Sequence, residues 1–238
     1  MKIIGIIVAT VWEARPLVSA LHLKSAGAGL FEGEFPDGRI VLSVSGMGQD
    51  RARQAALAMS RKNLSLMISS GYCGSLRPGL LAGNLALDDT RSDAAWVDSI
   101  KEIAQTQNLR LHRGAFSSGA SVLMTAADKS RAAADSGAIA ADMESAAICD
   151  VCLDAKIPFG SIRAVSDEAD QDLPASVQFI NHEGRPTSRF WTSILTRPQD
   201  WAGLIRMHRS SRKADAALAK IFSAFMRNHT LGGLHVQP

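Results

Sequence analysis

A chain of 238 residues, 46% hydrophobic and 21% charged, falls with soluble globular proteins and can form one large α/β domain or two small ones. Its formal charge of +3 is too slight to imply nucleic acid as a partner, and Cys73, Cys149 and Cys152 give no disulfide framework. No apolar run approaches the ~20 residues of a membrane span. The apolar stretch after Lys2 is too short for a signal-peptide core and has no cleavage site before Trp12 and Glu13, so the expectation is a cytoplasmic protein.

Lys2–Thr10 reads as a fully buried first strand, the continuous β-branched run that parallel sheets require. A helix should start near Val11–Arg15, with Pro16 in its first turn. Glu13 then lies just past the strand's carboxyl end. Taken alone, it reads as a solvated glutamate favoured by the helix dipole. Gly27–Gly38 reads as a loop or hairpin turn before the strand Arg39–Val44. Gly46-Met47-Gly48 turns the chain into a helix, Asp50–Arg61, whose inner face is Ala52, Ala55, Ala56 and Met59. The third glycine of a dinucleotide fingerprint is missing there, which leaves a small-residue turn that lets backbone approach a ligand.

Leu64–Ser70 is a second buried strand running into Gly71-Tyr72-Cys73-Gly74, read as a glycine turn. Asp93–Gln107 is a helix, Arg113–Ser118 a strand leading into Ser118–Leu123, and Ala126–Asp135 a helix. From Ala141 to Asp170, Asp142 and Glu144 open a helical run with Ala146, Ala147, Val151 and Ala155 on one face. Pro158 ends it, and Phe159–Val165 is a strand leading into Ser166-Asp167. This order brings two acidic clusters to one sheet edge, where open α/β sheets bind ligands. Asp142 suits helix capping better than substrate contact. Cys149 and Cys152 fall mid-helix and read as small buried residues. Asp167, Asp170 and Asp172 lack the histidine or spaced glycine of a metal loop, so no metal is expected.

Met143-Glu144-Ser145 followed by Arg163-Ala164-Val165-Ser166-Asp167-Glu168-Ala169-Asp170 resembles the nucleoside phosphorylase and nucleosidase superfamily, which splits the bond between a nucleobase and ribose. The usual MEG or MEA triplet is MES here. The resemblance covers residues 1–172 and implies a single-domain three-layer α/β/α fold with a mixed central sheet, an enzyme without cofactor or metal, and a homo-oligomer. It makes Asp167 the acid that protonates the leaving base, with Ser166 orienting it and Arg163 as a structural partner. Glu144 would accept hydrogen bonds from ribose hydroxyls, and Met143 would pack on the sugar. Gly71 and Tyr72 would line the ribose end, Tyr72 standing where serine or alanine is usual, and Val122 and Leu123 would face the base. Glu13 is at the offset of the family's water-activating glutamate. Ser69-Ser70 stand where phosphorylases often carry an arginine, which favours hydrolysis. Arg15 and Arg51 keep phosphate open as a co-substrate.

Residues 173–238 read as a basic helical extension packed on that core. Pro174–Asn181 is a short helix, Gly184-Arg185-Pro186 a breaker, Pro198–Lys213 a helix, and Ala214–Phe225 a core-docking stripe. Nine Lys or Arg stand between Arg185 and Arg227 against Asp200 and Asp215. They form either a solvated face or a peripheral membrane surface, the latter at the inner face of the membrane. Asp170-Gln171-Asp172-Leu173-Pro174, Leu195-Thr196-Arg197-Pro198 and Leu204-Ile205-Arg206-Met207 resemble the hopanoid-associated phosphorylase branch. That implies an adenine nucleoside linked to a hopane lipid as substrate. The competing reading is an idle nucleoside-binding or membrane-associated scaffold, suggested by Tyr72, Val122 and the basic tail. The intact Glu13, Glu144 and Asp167 set argues against it.

Overall fold

Strand β1 (Lys2–Val8) is buried from its third residue onward. Its alternation sends Ile4, Ile6 and Val8 into one apolar cluster and Ile7 into another on the opposite side. A strand apolar on both faces needs cover on both, and that sets the architecture. The computed structural model describes residues 2–35 and 38–230.

Around β1 run β2 (Lys24–Gly27), β3 (Leu30–Phe35), β4 (Gly38–Val44), β5 (Leu66–Ser75), β6 (Leu85–Leu87), β7 (Leu111–Arg113), β8 (Phe116–Ser118), β9 (Ala140–Asp142) and β10 (Phe159–Asp167). They form one mixed sheet in the order β2-β3-β4-β1-β5-β10-β6-β7, with β9 added to the far end of β5 and β8 to β9. The central strands β4, β1, β5 and β10 are mutually parallel, while β9 runs antiparallel to β5 with Ala141 beside Gly74.

Helices α1 (Val11–Ala20), α3 (Ala94–Thr106) and α7 (Trp201–Thr230) cover one face, and α2 (Gln49–Ser60) and α5 (Ser145–Ala155) the other. Helices α4 (Ala126–Ser136) and α6 (Ser188–Thr196) complete the set among the described residues. The architecture is thus the expected three-layer α/β/α sandwich. Cys149 and Cys152 pack inside the α2–α5 layer. Ala214, Leu218, Ile221, Phe222 and Phe225 of α7 share the main core cluster with β1 and β10. The second half of the basic segment therefore furnishes one wall of the core.

Several boundaries differ from the sequence reading. The 27–38 stretch, expected as a loop or hairpin turn, contains the full strand β3, which pairs antiparallel with β4 over six residues from Leu30 to Phe35. Pro16 is the sixth residue of α1, beyond its first turn. The Leu64–Ser70 strand does not end at Gly71 but continues to Ser75. Pro174–Asn181 holds only a 3-10 turn, Ala175–Phe179. The two expected C-terminal helices are one continuous 30-residue helix, since no glycine or proline interrupts it after Gly203. Helix α6 was not anticipated.

Gly160 of β10 lies under the indole of Trp96, whose ring meets Phe225 edge-on at 4.9 Å. A Cβ at Gly160 would come within 2.7 Å of that rigid ring. Gly160→Ala should cost about 1–3 kcal/mol through overpacking, read as a lower urea midpoint with an unchanged slope. An unchanged midpoint would show that the α3–β10–α7 contact is looser than described.

Candidate active site

The turn from β1 into α1 builds the first part of the site. Thr10 caps the helix, accepting from the Glu13 N–H at 3.3 Å. In return Glu13 Oε2 accepts from the Thr10 N–H at 2.7 Å and its hydroxyl at 3.0 Å. This reciprocal capping box fixes Glu13 locally. A long-range bond directs its other oxygen, because Oε1 accepts from the Tyr72 N–H at 2.8 Å. Glu13 is only 4% exposed, so it is not a solvated first-turn glutamate.

Strand β9 delivers the second part. It runs back along β5, so the residues after Asp142 return toward Gly71 and Glu13. Asp142 Oδ2 accepts from the Ser145 N–H at 3.2 Å, the helix-capping role expected of it. Glu144 is buried, and its Oε1 accepts from the Gly48 N–H at 2.9 Å. The Gly46–Gly48 turn thus brings a backbone donor to the second glutamate.

Arg163 of β10, 1% exposed, joins these acids. Its guanidinium lies 2.8 Å from Asp142 Oδ2 and 3.4 Å from Glu144 Oε2, and donates to Ser69 Oγ at 3.0 Å. Arg163 stands beside Gly71, which adopts φ +136°. A Cβ at Gly71 would overlap the Glu13 carboxylate and press on Arg163. The glycine serves this close approach within a strand rather than a turn. Burial pushes the Glu144 carboxyl up to about 7; Arg163 pulls it down while Glu13 and Asp142 add to the rise.

Asp167 stands at the end of β10, after a bulge that leaves it opposite Gly74. Ser166 Oγ donates to its Oδ1 at 2.8 Å, and the buried Lys129 of α4 donates to its Oδ2 at 2.6 Å. The partner anticipated for Asp167 was Arg163, but Arg163 is engaged with Asp142 and Glu144. Lys129 takes that place, and it stands in a polar helix whose sequence gives no hint of it. Glu13 abuts Gly71 and Asp167 abuts Gly74. These two glycines lie three residues, about 10 Å, apart along β5.

The remaining expected residues fall around this line. Met143 is half-buried between Asp142 and Glu144. Val122 is exposed and Leu123 partly buried, in a segment tied down by the Gly119 N–H on the Asp142 carbonyl and the Leu173 N–H on the Met124 carbonyl. The Tyr72 ring, expected in the pocket, packs instead into the main core, and its hydroxyl donates to Asp215 of α7. What Tyr72 presents to Glu13 is its backbone N–H. Arg15 stacks on the Trp12 ring at 4.2 Å and is exposed, while Arg51 lies against Gly46. The segment after the core also reaches the rim, unforeseen from sequence: Trp12 Nε1 donates to the Gly184 carbonyl at 3.0 Å and the Met47 N–H to the His182 carbonyl at 2.7 Å. No group of three or more His, Cys, Asp or Glu suited to a metal ion is gathered among the described residues.

The profile of the family described as Phosphorylase superfamily matches residues 3–90 and 82–187. A 5′-methylthioadenosine/S-adenosylhomocysteine nucleosidase of Haemophilus influenzae (strain PittEE) is 28% identical over 207 residues, 74% of this chain and 90% of its own. The fold is shared with the Neisseria meningitidis 5′-methylthioadenosine/S-adenosylhomocysteine nucleosidase in complex with methylthio-immucillin-A. That structure has a TM-score of 0.74 and 22% identity, over 96% of this chain and 100% of the other. It is shared too with the futalosine hydrolase of Helicobacter pylori strain 26695, TM-score 0.75 and 18% identity over 95% and 98% of the two chains. The chain belongs to the phosphorylase superfamily. It is an enzyme of N-glycosidic bond cleavage.

The raised Glu144 carboxyl has a consequence for stability. Between the unperturbed value near 4.5 and about 7, the folded protein keeps a proton that the unfolded chain has released. Stability therefore falls as pH rises through that window and stays lower above it. Glu144→Gln removes this penalty, so between pH 5 and pH 8 the variant should gain on the native protein by up to about 3 kcal/mol. Urea unfolding at both pH values measures it, and a difference independent of pH would contradict the assignment.

Proposed function

We propose that the protein releases adenine from a 5′-substituted adenosine by attack of water on the anomeric carbon. The observation that carries this reading is the spacing along β5. Glu13 lies against Gly71 and Asp167 against Gly74, positions about 10 Å apart along the strand, which supports a nucleoside held with its base toward Asp167 and its sugar toward Glu13 and Glu144. In this reading Asp167 protonates a ring nitrogen of the departing base, held by Ser166. Glu144 accepts from the ribose hydroxyls, Met143 packs on the sugar, and Val122 and Leu123 border the base. Glu13 takes the proton of the attacking water. Its Oε2 already accepts from the Thr10 N–H and hydroxyl and its Oε1 from the Tyr72 N–H, which leaves the second lone pair of Oε1 for the water.

Water is preferred to phosphate because Arg163 is committed to Asp142 and Glu144 and Arg15 to the outer face of Trp12, which leaves Arg51, against Gly46, as the remaining phosphate ligand of those considered. The relatives named above, nucleosidases and a hydrolase, agree with it. Free adenine should appear from adenosine, methylthioadenosine or a lipid-linked adenosyl compound without added phosphate. Asp167→Asn should lower turnover about 10²- to 10⁴-fold while keeping the native circular dichroism spectrum. Absence of base release from all three compounds would overturn the reaction; strict phosphate dependence would overturn only the hydrolytic form.

The 5′ substituent we assign is an apolar lipid of the hopane type, met at the inner face of a membrane. Trp191, Leu195, Trp201 and Ile205 are exposed at 51–79% across α6 and the start of α7, with the exposed Arg189, Arg197, Arg206 and Arg209 among them. Exposed tryptophan beside arginine suits the interface of an anionic bilayer. No helix of the described residues is long and apolar enough to cross a membrane, so the contact is peripheral. A homo-oligomer belongs to the same reading, supported by the exposed Leu57 and Leu153 on the adjacent helices α2 and α5. Co-sedimentation with vesicles containing phosphatidylglycerol should be strong for the native protein and lost in the double variant Trp191→Ser, Leu195→Ser. Equal recovery of both would remove the lipid surface from the proposal.

A further inference from the structure

Helix α4 is a surface helix that buries one side chain, and that side chain is a lysine. Lys129 is 1% exposed. Its ammonium donates to Asp167 Oδ2 at 2.6 Å and to the backbone carbonyls of Glu168 at 2.8 Å and Gln171 at 3.0 Å. Those three acceptors use all three of its protons. A lysine on a polar helix ordinarily extends its ammonium into water along its own apolar stem. Here it is turned inward, where an ammonium is tolerated only when paired and fully hydrogen-bonded.

We infer that Lys129 is a positioning residue for the acid of the reaction. It fixes the Asp167 carboxyl at the end of β10 and supplies the positive charge facing the carboxylate that remains once Asp167 has given up its proton. This rests on the proposed base-release reaction. In that reaction the bond between the anomeric carbon and the purine nitrogen breaks, and its electron pair goes to the purine. A proton passes from Asp167 to a purine ring nitrogen. The water oxygen bonds to the anomeric carbon and its proton passes to Glu13. Proton return from Glu13 to Asp167 through solvent restores both groups. Lys129 gains and loses nothing, since its ammonium protons are held by Asp167 and two backbone carbonyls. Its charge is most useful when negative charge forms on Asp167, so its effect is concentrated in the transition state.

Such a role differs measurably from simple support of the fold. An adenine nucleoside needs a proton on its leaving group, whereas 4-nitrophenyl β-D-ribofuranoside expels a stable phenolate without one. Lys129→Met, which keeps the stem and removes the charge, should lower kcat for the adenine nucleoside about 100-fold. KM and nitrophenyl riboside turnover should stay within about threefold, the pattern also expected of Asp167→Asn. In an Asp167→Asn background, Lys129→Met should cost nothing further. Lys129→Arg should recover part of the loss. Equal losses on both substrates, or additive losses in the double variant, would overturn the inference. If Lys129→Met does not fold, the same substrate ratio is read on Lys129→Arg, where an unselective loss overturns it equally. If the native enzyme releases no adenine, the reaction itself has failed. If it does and Lys129→Met is unselective, only the role of Lys129 has.

Discussion

A single buried guanidinium holds the Glu13–Glu144 end of the candidate site together. Arg163 sits at the centre of the sheet with Asp142 at 2.8 Å and Glu144 at 3.4 Å, and Glu13 and Cys73 are near enough to influence its charge. Removing such charges from water is costly, and their mutual attraction offsets that cost only when the geometry is good. The surrounding structure is arranged to provide it. Gly71 gives up its side chain, Ser69 and the Tyr72 carbonyl accept further hydrogen bonds, and α5 begins where Asp142 can cap it. Three carboxyls share this one cation. Burial, with a smaller contribution from the neighbouring Glu13 and Asp142, pushes the Glu144 carboxyl up to about 7 against the pull of Arg163.

The Asp167 end is built separately. Lys129 comes from a different helix and reaches Asp167 after the β10 bulge. Each end of the candidate site thus has its own cation, Arg163 beside Asp142 and Glu144 and Lys129 behind Asp167. Separation of this kind lets two carboxyls in one site hold different protonation states, the condition under which one can give a proton while another takes one. Strand β5 links the halves, and its Tyr72 is tied by its phenol to Asp215 of α7. Burial and that carboxylate hold the phenol far above its ordinary range, so it stays neutral. The C-terminal helix is in this way anchored to the strand on which the site is laid out.

Much of the scaffold was legible from residue patterns. The β-branched run at Lys2–Thr10 can satisfy both faces only inside a covered sheet, and a helix beginning at Val11 follows from the turn chemistry there. Helices α2, α3 and α4 came within a residue or two of expectation, because caps and apolar periodicity are local signals, whereas Asp142, expected to open α5, ends strand β9. The misses share one cause. Strand β3, flanked by glycines and only partly buried, has weak alternation and exists through pairing with β4. Strand β5 passes through Gly71 because backbone pairing with β10 overrides a local glycine signal. The apolar stripe that begins at Ala214 suggested a second helix, yet it marks only where one long helix meets the core.

By itself the sequence determined the layered fold, the strand-then-acid grammar that puts Glu13, Glu144 and Asp167 at one edge, and the family to which the pattern belongs. Those properties depend on periodicity, caps and short motifs, all read within a few residues. Tertiary structure alone decided which charge faces which. It assigned Arg163 to Asp142 and Glu144, gave Asp167 to Lys129, turned the Tyr72 ring toward α7, and laid residues 182–184 on the rim by Thr10 and Trp12. Electrostatic pairing acts through space between residues tens of positions apart, and a lysine in a polar helix looks the same in sequence whether its ammonium meets water or a buried carboxylate.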